Sequence, residues 1–408
     1  MRGVLAILLA GLLPVAAHAD NDRGPDPARP ELAATPVIGG TDAPAGKWPD
    51  ATATIQPDGL QGCTGTLIAP TVVLTAEHCI YDGGPTSVVI GAASLARKNE
   101  GDIIAVTKRM AYPNGDRSLD IGVLVLANAS RFAPRPIASG WASFDIKNAA
   151  QVAIVGFGAI DRNAMTYKNE LQEAVTTITD ADCTKSQGCN TLAKPNGELG
   201  AGGMGVDTCP GDSGGPLYLI SDGGTYLAGV TSRGYDNNSY DCSEGGIYAR
   251  PDKAVDWIEE VAGVKVARGP EPTYEPLRAV RGHAAETMIV ANDPKSTSHT
   301  FKITTPPGYG TAAVRDDGRV RVCTNEGVAG DDVLVVEVAD TQDPTRKLSI
   351  RMPILIEDGD PGAGCDPEDF GDDGGCCDAG RTAGGSLPLG LGVLLVLRRR
   401  PRKGFPRR

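Results

Sequence analysis

Three short segments carry the residue types that acyl transfer needs. Gly211-Asp212-Ser213-Gly214-Gly215-Pro216 sets a hydroxyl nucleophile among glycines. The backbone can turn tightly there, so the amides of Gly211 and Ser213 can converge on one oxygen. Thr75-Ala76-Glu77-His78-Cys79 supplies an imidazole directly after the strand-like run Thr71-Val72-Val73-Leu74. His78 is the only histidine between His18 and His283, so this half of the chain offers no other base of its kind. Ser118-Leu119-Asp120 precedes the apolar run Ile121-Gly122-Val123-Leu124, which places Asp120 at a buried strand edge, able to accept a hydrogen bond from His78. Asp116 is the neighbouring alternative, and the apolar run directly after Asp120 selects between them. Nucleophile, base, orienting carboxylate and oxyanion donors are the four parts of serine-based acyl transfer.

The elements that must hold these parts read as β structure. The 408 residues are 41% hydrophobic and 22% charged, which excludes wholesale disorder and a multi-span membrane protein. With 53 glycines, 30 prolines and 5% aromatics, turn-rich sheets are favoured over helix bundles. Lys and Arg total 39 against 51 Asp and Glu, and a net charge of −12 argues against nucleic acid as a partner. From Val37 to Val266, short β-branched runs such as Ile121–Leu126, Gln151–Val155 and Tyr226–Val230 alternate with Gly, Pro, Asn and Asp, as in antiparallel sandwiches or barrels. A helix is expected from Asp252 as N-cap, with Val255, Ile258 and Val261 on one face. Residues 267–277 read as a linker, and residues 278–357 alternate again as a small β-sandwich. His283 and His299 in that region read as ordinary surface or loop histidines.

The two ends carry other signals. Residues 1–19 have a basic start, the apolar run Val4–Leu13 and Ala17-His18-Ala19, the pattern of a secretory signal peptide. Export permits disulfides downstream. Residues 20–36 read as an extended pro-segment or linker. Residues 358–385 form an acidic, Gly- and Cys-rich linker, followed over 386–408 by a short apolar run and an arginine cluster. That order, with Cys376 and Cys377 before the apolar run, resembles C-terminal sorting signals of the MYXO-CTERM type, which implies processing near those cysteines and retention at the cell surface. The apolar run spans about 18 Å as a helix, short of the ~30 Å of a hydrocarbon core.

Taken in the order His78, Asp120, Ser213, the three motifs resemble the trypsin-like, chymotrypsin-fold serine proteases, over about Val37 to Val264. The resemblance implies two six-stranded antiparallel β-barrels. With the stretch Gly310 to Asp332, which looks like bacterial Ig-like or cadherin-like repeats, the expected fold is all-β, two barrels and then an Ig-like sandwich. It implies that His78, Asp120 and Ser213 are catalytic and that the Gly211 and Ser213 amides bind the oxyanion. Val37-Ile38-Gly39-Gly40 looks like the mature N-terminus, whose freed amine would pair with Asp212. Pro36 stands where many members have Arg or Lys, so a separate activating protease is expected. Asp207, six residues before Ser213, falls at the floor of the primary pocket and implies cleavage after Arg or Lys. Ser232, Gly234 and Gly246 match substrate-binding positions, while Arg233 replaces an aromatic residue and brings a charge to the pocket mouth. The family's bridges imply Cys63–Cys79, Cys183–Cys189 and Cys209–Cys242, whereas Cys323 reads as a buried small residue without a partner.

The expectation is a secreted serine endopeptidase acting on protein or peptide substrates, with no metal or organic cofactor and a surface ligand for the Ig-like region. The alternative is a catalytically silent protease fold that serves as a binding or adhesion module.

Overall fold

A computed structural model describes residues 36–371, except 82, 114–118, 185–187, 191–192, 194–196, 237 and 363. The signal peptide and nearly all of the pro-segment lie outside the described residues, as do Asp116, Ser118, Cys376, Cys377 and the tail at 386–408.

After the short strand β1 (Thr41–Asp42), six strands close the first barrel. They are β2 (Ala51–Ile55), β3 (Gln61–Ala69), β4 (Val72–Thr75), β5 (Ser87–Ile90), β6 (Asp102–Ala111) and β7 (Gly122–Leu126). Their order around the barrel is β2-β3-β4-β7-β6-β5. Val, Ile and Thr dominate these strands, as a pleated surface packed on its neighbours favours. β4 is buried along its whole length, since one face fills the barrel and the other meets the second barrel.

The second barrel uses β8 (Gln151–Gly156), β9 (Gln172–Asp180), β10 (Glu198–Ala201), β11 (Pro216–Ser221), β12 (Gly224–Gly234) and β13 (Gly246–Ala249). These run in the order β9-β10-β13-β12-β11-β8, and β8 pairs back onto β9 to close six strands, with β1 added at the edge of β9. One apolar cluster joins both barrels, from Ile68, Leu74 and Val123 to Leu227 and Ile258. Within it Tyr218 stacks on Trp48 with ring centroids 4.6 Å apart, and its hydroxyl donates to Asp50 at 2.5 Å. Asp50 also takes Arg135 from the crossover at 2.6 Å. A buried charge needs such a full set of partners.

The helix forms over Val255–Ala262, with Ala254 at its N-cap. Asp252 sits earlier, inside the 3-10 turn Pro251–Lys253, and its carboxylate pairs with Arg250 at 2.8 Å instead of capping. Proline at position 251 opens that turn, which moves the start of the helix past Asp252.

Seven more strands follow: β14 (Leu277–Val280), β15 (Ala284–Met288), β16 (His299–Thr305), β17 (Gly310–Val314), β18 (Arg319–Thr324), β19 (Gly330–Asp340) and β20 (Lys347–Glu357). They make a four-stranded sheet, β14-β20-β19-β16, and a three-stranded sheet, β15-β18-β17. β14 runs parallel to β20, and the other pairs are antiparallel. Val320, Val322, Leu334, Val336, Val338, Met352 and Ile354 fill the space between the sheets.

Three expectations change in this region. Cys323 is not a lone buried thiol, because it is bonded to Cys365. The acidic segment therefore begins as ordered chain. Phe370 is buried against Arg315, whose guanidinium lies 4.3 Å from the ring centroid, and the Asp366 carbonyl accepts from Arg321 at 3.1 Å. His299 is not a surface histidine either. Its side chain is packed 5.5 Å from the Trp141 ring, with Nε2 3.6 Å from Asp293 Oδ2. Trp141 comes from the chain between the barrels, yet it is buried in the sandwich core and donates its indole proton to the Ala291 carbonyl at 2.5 Å. Residues 267–277 are likewise fastened: the Pro270 carbonyl accepts from the Trp141 amide at 2.8 Å, and Thr273 pairs with Val290.

Candidate active site

Strand register brings the base and the carboxylate together. Antiparallel pairing sets Thr75 at the end of β4 opposite Gly122 at the start of β7. The chain leaving β4 toward His78 and the chain arriving from Asp120 therefore meet at one rim of the first barrel. There His78 Nδ1 lies 2.8 Å from Asp120 Oδ2, and the His78 amide donates to Oδ1 at 3.1 Å. Ser232, at the end of β12 in the other barrel, donates its hydroxyl to the same Oδ2 at 2.6 Å.

The electrostatics follow from those contacts. The hydrogen bond to Asp120 raises the His78 imidazole above its ordinary value, against the opposing effect of burial, and the charges of Asp120 and Glu77 add to the rise. Burial pushes Asp120 upward, but the His78 and Ser232 hydrogen bonds and the imidazole charge together hold it below the usual carboxylate range. Asp120 thus stays ionised and holds a proton on Nδ1, which leaves His78 Nε2 as the acceptor.

The Ser213 loop is pinned across the same junction. The Thr64 amide on β3 donates to the Ser213 carbonyl at 2.9 Å, and the Gly214 amide donates to Thr231 on β12 at 2.7 Å. The Ser213 carbonyl oxygen also lies 3.7 Å from Sγ of Cys79, the residue after His78. That sulfur is bonded to Cys63, so the contact is packing, not a hydrogen bond. Gly214 has φ +78°, and a Cβ there would fall 2.0 Å from Thr75 Oγ1 and 2.6 Å from the Ala76 amide nitrogen. Only glycine lets the loop come this close to the turn that carries His78. Among the described residues no hydrogen bond joins Ser213 Oγ to His78, and such contacts commonly tighten only when substrate arrives.

The amide donors are oriented by their own carbonyls. The Ala159 amide donates to the Pro210 carbonyl at 2.9 Å, and the Gly215 amide to the Asp212 carbonyl at 2.7 Å. In a trans peptide the N–H points opposite the C=O, so the Gly211 and Ser213 amides are turned to the other side. Neither amide has an acceptor among the described residues. Gln61 Nε2 at 3.0 Å and Thr64 Oγ1 at 2.9 Å hold the Gly211 carbonyl, a support that no motif signals.

Asp212 and Asp207 are both buried. Asp212 accepts from the Gly158 amide at 2.7 Å and the Cys209 amide at 2.9 Å. A Cβ on Gly156 would stand 2.0 Å from its Oδ1, so that glycine clears its place. Burial raises Asp212 to about 7, with the charge of Asp207 adding to the rise. Asp207 Oδ2 accepts from the amides of Ser243 and Gly245, both at 2.9 Å, and of Glu244 at 3.2 Å. Burial still raises Asp207 to about 6. Val37 is buried in the core of the same barrel, and Ile38 pairs with Asp207.

Of the predicted substrate positions, Gly246 lies beside Asp207, where a Cβ would sit 3.5 Å from Oδ1. Gly234 stands opposite Gly246 in the pairing of β12 with β13, and a Cβ there would meet Asn238 Nδ2 at 3.0 Å. Ser232 spends its hydroxyl on Asp120. Arg233 is no loose charge at the pocket mouth, since Glu198 holds it with two hydrogen bonds of 2.9 and 3.0 Å. Nothing in the sequence marked Glu198 as its partner. A cleft of about 390 Å³ runs from His78 and Asp120 past Ser232 to Arg233. Cysteine pairs 63–79, 183–189 and 209–242 are bonded. Cys63, His78 and Cys79 lie close enough together to suggest metal ligands, but both sulfurs are oxidised and offer no thiolate.

The family model described as Trypsin matches residues 37–258. A trypsin of Saccharopolyspora erythraea is 32% identical over 222 residues, which cover 52% of this chain and 92% of that protein. Trypsin-1 of Astacus astacus is 29% identical over 238 residues, covering 55% and 98%. Serine protease 56 of Mus musculus is 31% identical over 254 residues, covering 59% of this chain and 40% of that protein.

Proposed function

Because the chain belongs to the trypsin family and is a serine-type endopeptidase, we propose that it hydrolyses peptide bonds after Arg or Lys through Ser213, His78 and Asp120. Ser213 Oγ attacks the carbonyl while His78 Nε2 takes its proton; the acyl-enzyme forms when His78 returns that proton to the leaving amine. Water, activated by the same imidazole, then releases the acid. The Gly211 and Ser213 amides receive the oxyanion. The observation that carries this reading is the 2.8 Å contact of His78 with an Asp120 carboxylate, at the rim to which the Ser213 loop is tied.

Asp207 carries the preference for a basic residue. A carboxylate meeting a unit charge at ~4 Å is worth roughly 4 kcal/mol at an effective dielectric of 20. Cutting before Val37 frees an amine for Asp212, a buried carboxyl held among the described residues by the Gly158 and Cys209 amides. The leader at 1–19 and the tail at 386–408 support export with retention at the surface, and the pairing of a four-stranded with a three-stranded sheet supports an Ig-like module beside the enzyme.

The test is hydrolysis of matched peptide esters, with Arg or Phe before the scissile bond, by the chain processed to Val37. Rapid turnover of the Arg ester is expected, lost in Ser213→Ala and reduced sharply in Asp207→Ser. Turnover of the Phe ester alone would keep the reacting groups and reject the role of Asp207. Turnover of neither would favour the silent binding module.

A further inference from the structure

We propose that Arg233 is a positioning residue for the reacting groups: clamped by Glu198, it fixes the Ser232 hydroxyl so that its proton is committed to Asp120. This rests on the reading of His78, Asp120 and Ser213 as those groups.

Chemistry alone sets the direction of each bond. A guanidinium can only donate and an ionised carboxylate can only accept, whereas a hydroxyl has one proton and two lone pairs. Arg233 Nη1 lies 3.1 Å from Ser232 Oγ, so Ser232 must accept from it. Ser232 Oγ lies 2.6 Å from Asp120 Oδ2, so its single proton goes there. Asp120 Oδ2, taking that proton's bond, also takes the one from His78 Nδ1 at 2.8 Å. The linked chain therefore spans Glu198, Arg233, Ser232, Asp120 and His78, and its end is a bare Nε2. Arg233 donates to both of its neighbours, and Asp120 accepts from both of its own. Without a cation on its lone pair, the hydroxyl is held by Asp120 alone.

Arg233 is itself immobilised. Nη1 and Nη2 meet the two oxygens of Glu198, and Nη2 also donates to the Gly188 carbonyl at 2.6 Å. Glu198 is buried on β10, where it accepts from the Asn190 amide at 2.6 Å. Glu198 is buried but Arg233 is partly exposed, and neither exposed nor buried ion pairs add much net stability. The consequence of this one therefore belongs to orientation and local field.

The groups that face His78 and Asp120 across the cleft are Glu77 and Tyr81 from the histidine's own turn, Asn190 and Glu198 from the segment ending in β10, and Ser232 and Arg233 from β12. The Arg233 cation disfavours an imidazolium and the Glu198 anion favours it, so removing each shifts the titration in an opposite sense.

The experiment is the pH profile of kcat/KM on the Arg ester for the full chain processed to Val37, with labelling of Ser213 by a fluorophosphonate alongside. In Arg233→Leu, kcat is expected to fall about 10- to 100-fold with KM little changed, as loss of orientation predicts. The acid limb should move to higher pH, and Arg233→Lys should recover part of the rate. In Glu198→Gln, which keeps the shape and one acceptor oxygen at that position and so guards against misfolding, the acid limb should move to lower pH. Acid limbs that move together or stay in place, with kcat unchanged, overturn the proposal. Wild type that neither labels nor turns over overturns the underlying reading, and this proposal with it, whereas a labelled wild type with unmoved variants overturns Arg233 alone.

Discussion

The two barrels and the C-terminal sandwich place their polar groups differently. In the barrels, strands such as β4, β10 and β13 are buried from end to end, and carboxylates at Asp50, Glu198, Asp207 and Asp212 go inside with them. In the sandwich, β20 alternates between exposed and buried positions, and its inward side chains are Met352, Ile354 and Ile356. Closed barrels packed on each other have no outward face at their junction, so polar groups there lose water and must find amides, cations or protons. An open two-sheet sandwich leaves most of its charges outside and buries others at the seam with Trp141, where Arg346 pairs with both Asp293 and Asp340. The difference separates a junction whose carboxylates Asp207 and Asp212 pair with no cation among the described residues from a sandwich whose buried carboxylates share one arginine.

The sharpest way to break that contrast is to compensate a buried barrel charge. Asp212 is held at about 7, far above an unfolded carboxyl. A group raised in this way binds a proton that the unfolded chain has released. Its stabilising contribution is therefore complete below about pH 4 and is lost as pH rises toward 7, by roughly 4 kcal/mol. If the amine freed at Val37 pairs with Asp212, the processed chain should lose far less over that window. Denaturant unfolding of both forms between acid and neutral pH measures the difference. Asp207, held at about 6, contributes a slope of the same sign to both forms, so the subtraction isolates Asp212. Equal slopes before and after processing would reject the pairing.

Trp141 sharpens the contrast from the other side, because the sandwich takes this core residue from the barrel half of the chain. Trp141→Ala should cost about 3 kcal/mol, the low end for a buried aromatic, since the two bodies can close together over the gap. The loss should appear as two separate unfolding transitions in place of one, with the rate on the Arg ester unchanged. A single transition at unaltered denaturant concentration would mean that the seam does not couple the regions.

How far each region could be read in advance follows the same division. Acyl-transfer chemistry restricts residue type and spacing so tightly that Ser213, His78 and Asp120 stand out as a set, and β4 and β7 are visible in the runs beside them. Register then does what spacing cannot, since only the pairing of Thr75 with Gly122 brings His78 to Asp120. The Arg233–Glu198 pair was hidden because 35 positions separate its members and no motif covers Glu198. In the sandwich, alternation was legible, but docking was not. Trp141 sits in a 3-10 turn, Gly140–Asp145, with no periodicity to announce that its ring leaves home. The bond of Cys323 is hidden for a related reason: its partner lies 42 residues on, in a segment whose acidity and glycine content suggest loose chain. Asp252 was assigned by residue type alone, and the proline before it overrode that preference.

The smallest expected effect lies in the polar rim around Trp141. Lys295 reaches from the sandwich to Asp145 at 2.6 Å, and Asp145 also accepts from Ser221 at 2.6 Å. With the serine bond remaining, Lys295→Ala leaves no unpaired carboxylate, so the loss should stay below about 1 kcal/mol and shrink further at high salt. Lys295→Met separates the two contributions of the side chain, because it keeps the apolar stem against the seam and removes only the charge. If Met restores nearly all the stability lost in Ala, packing holds the rim. If Ala and Met fall equally, and both losses vanish in salt, the ion pair holds it, and the seam then shares the charged character of the barrels on one side of Trp141.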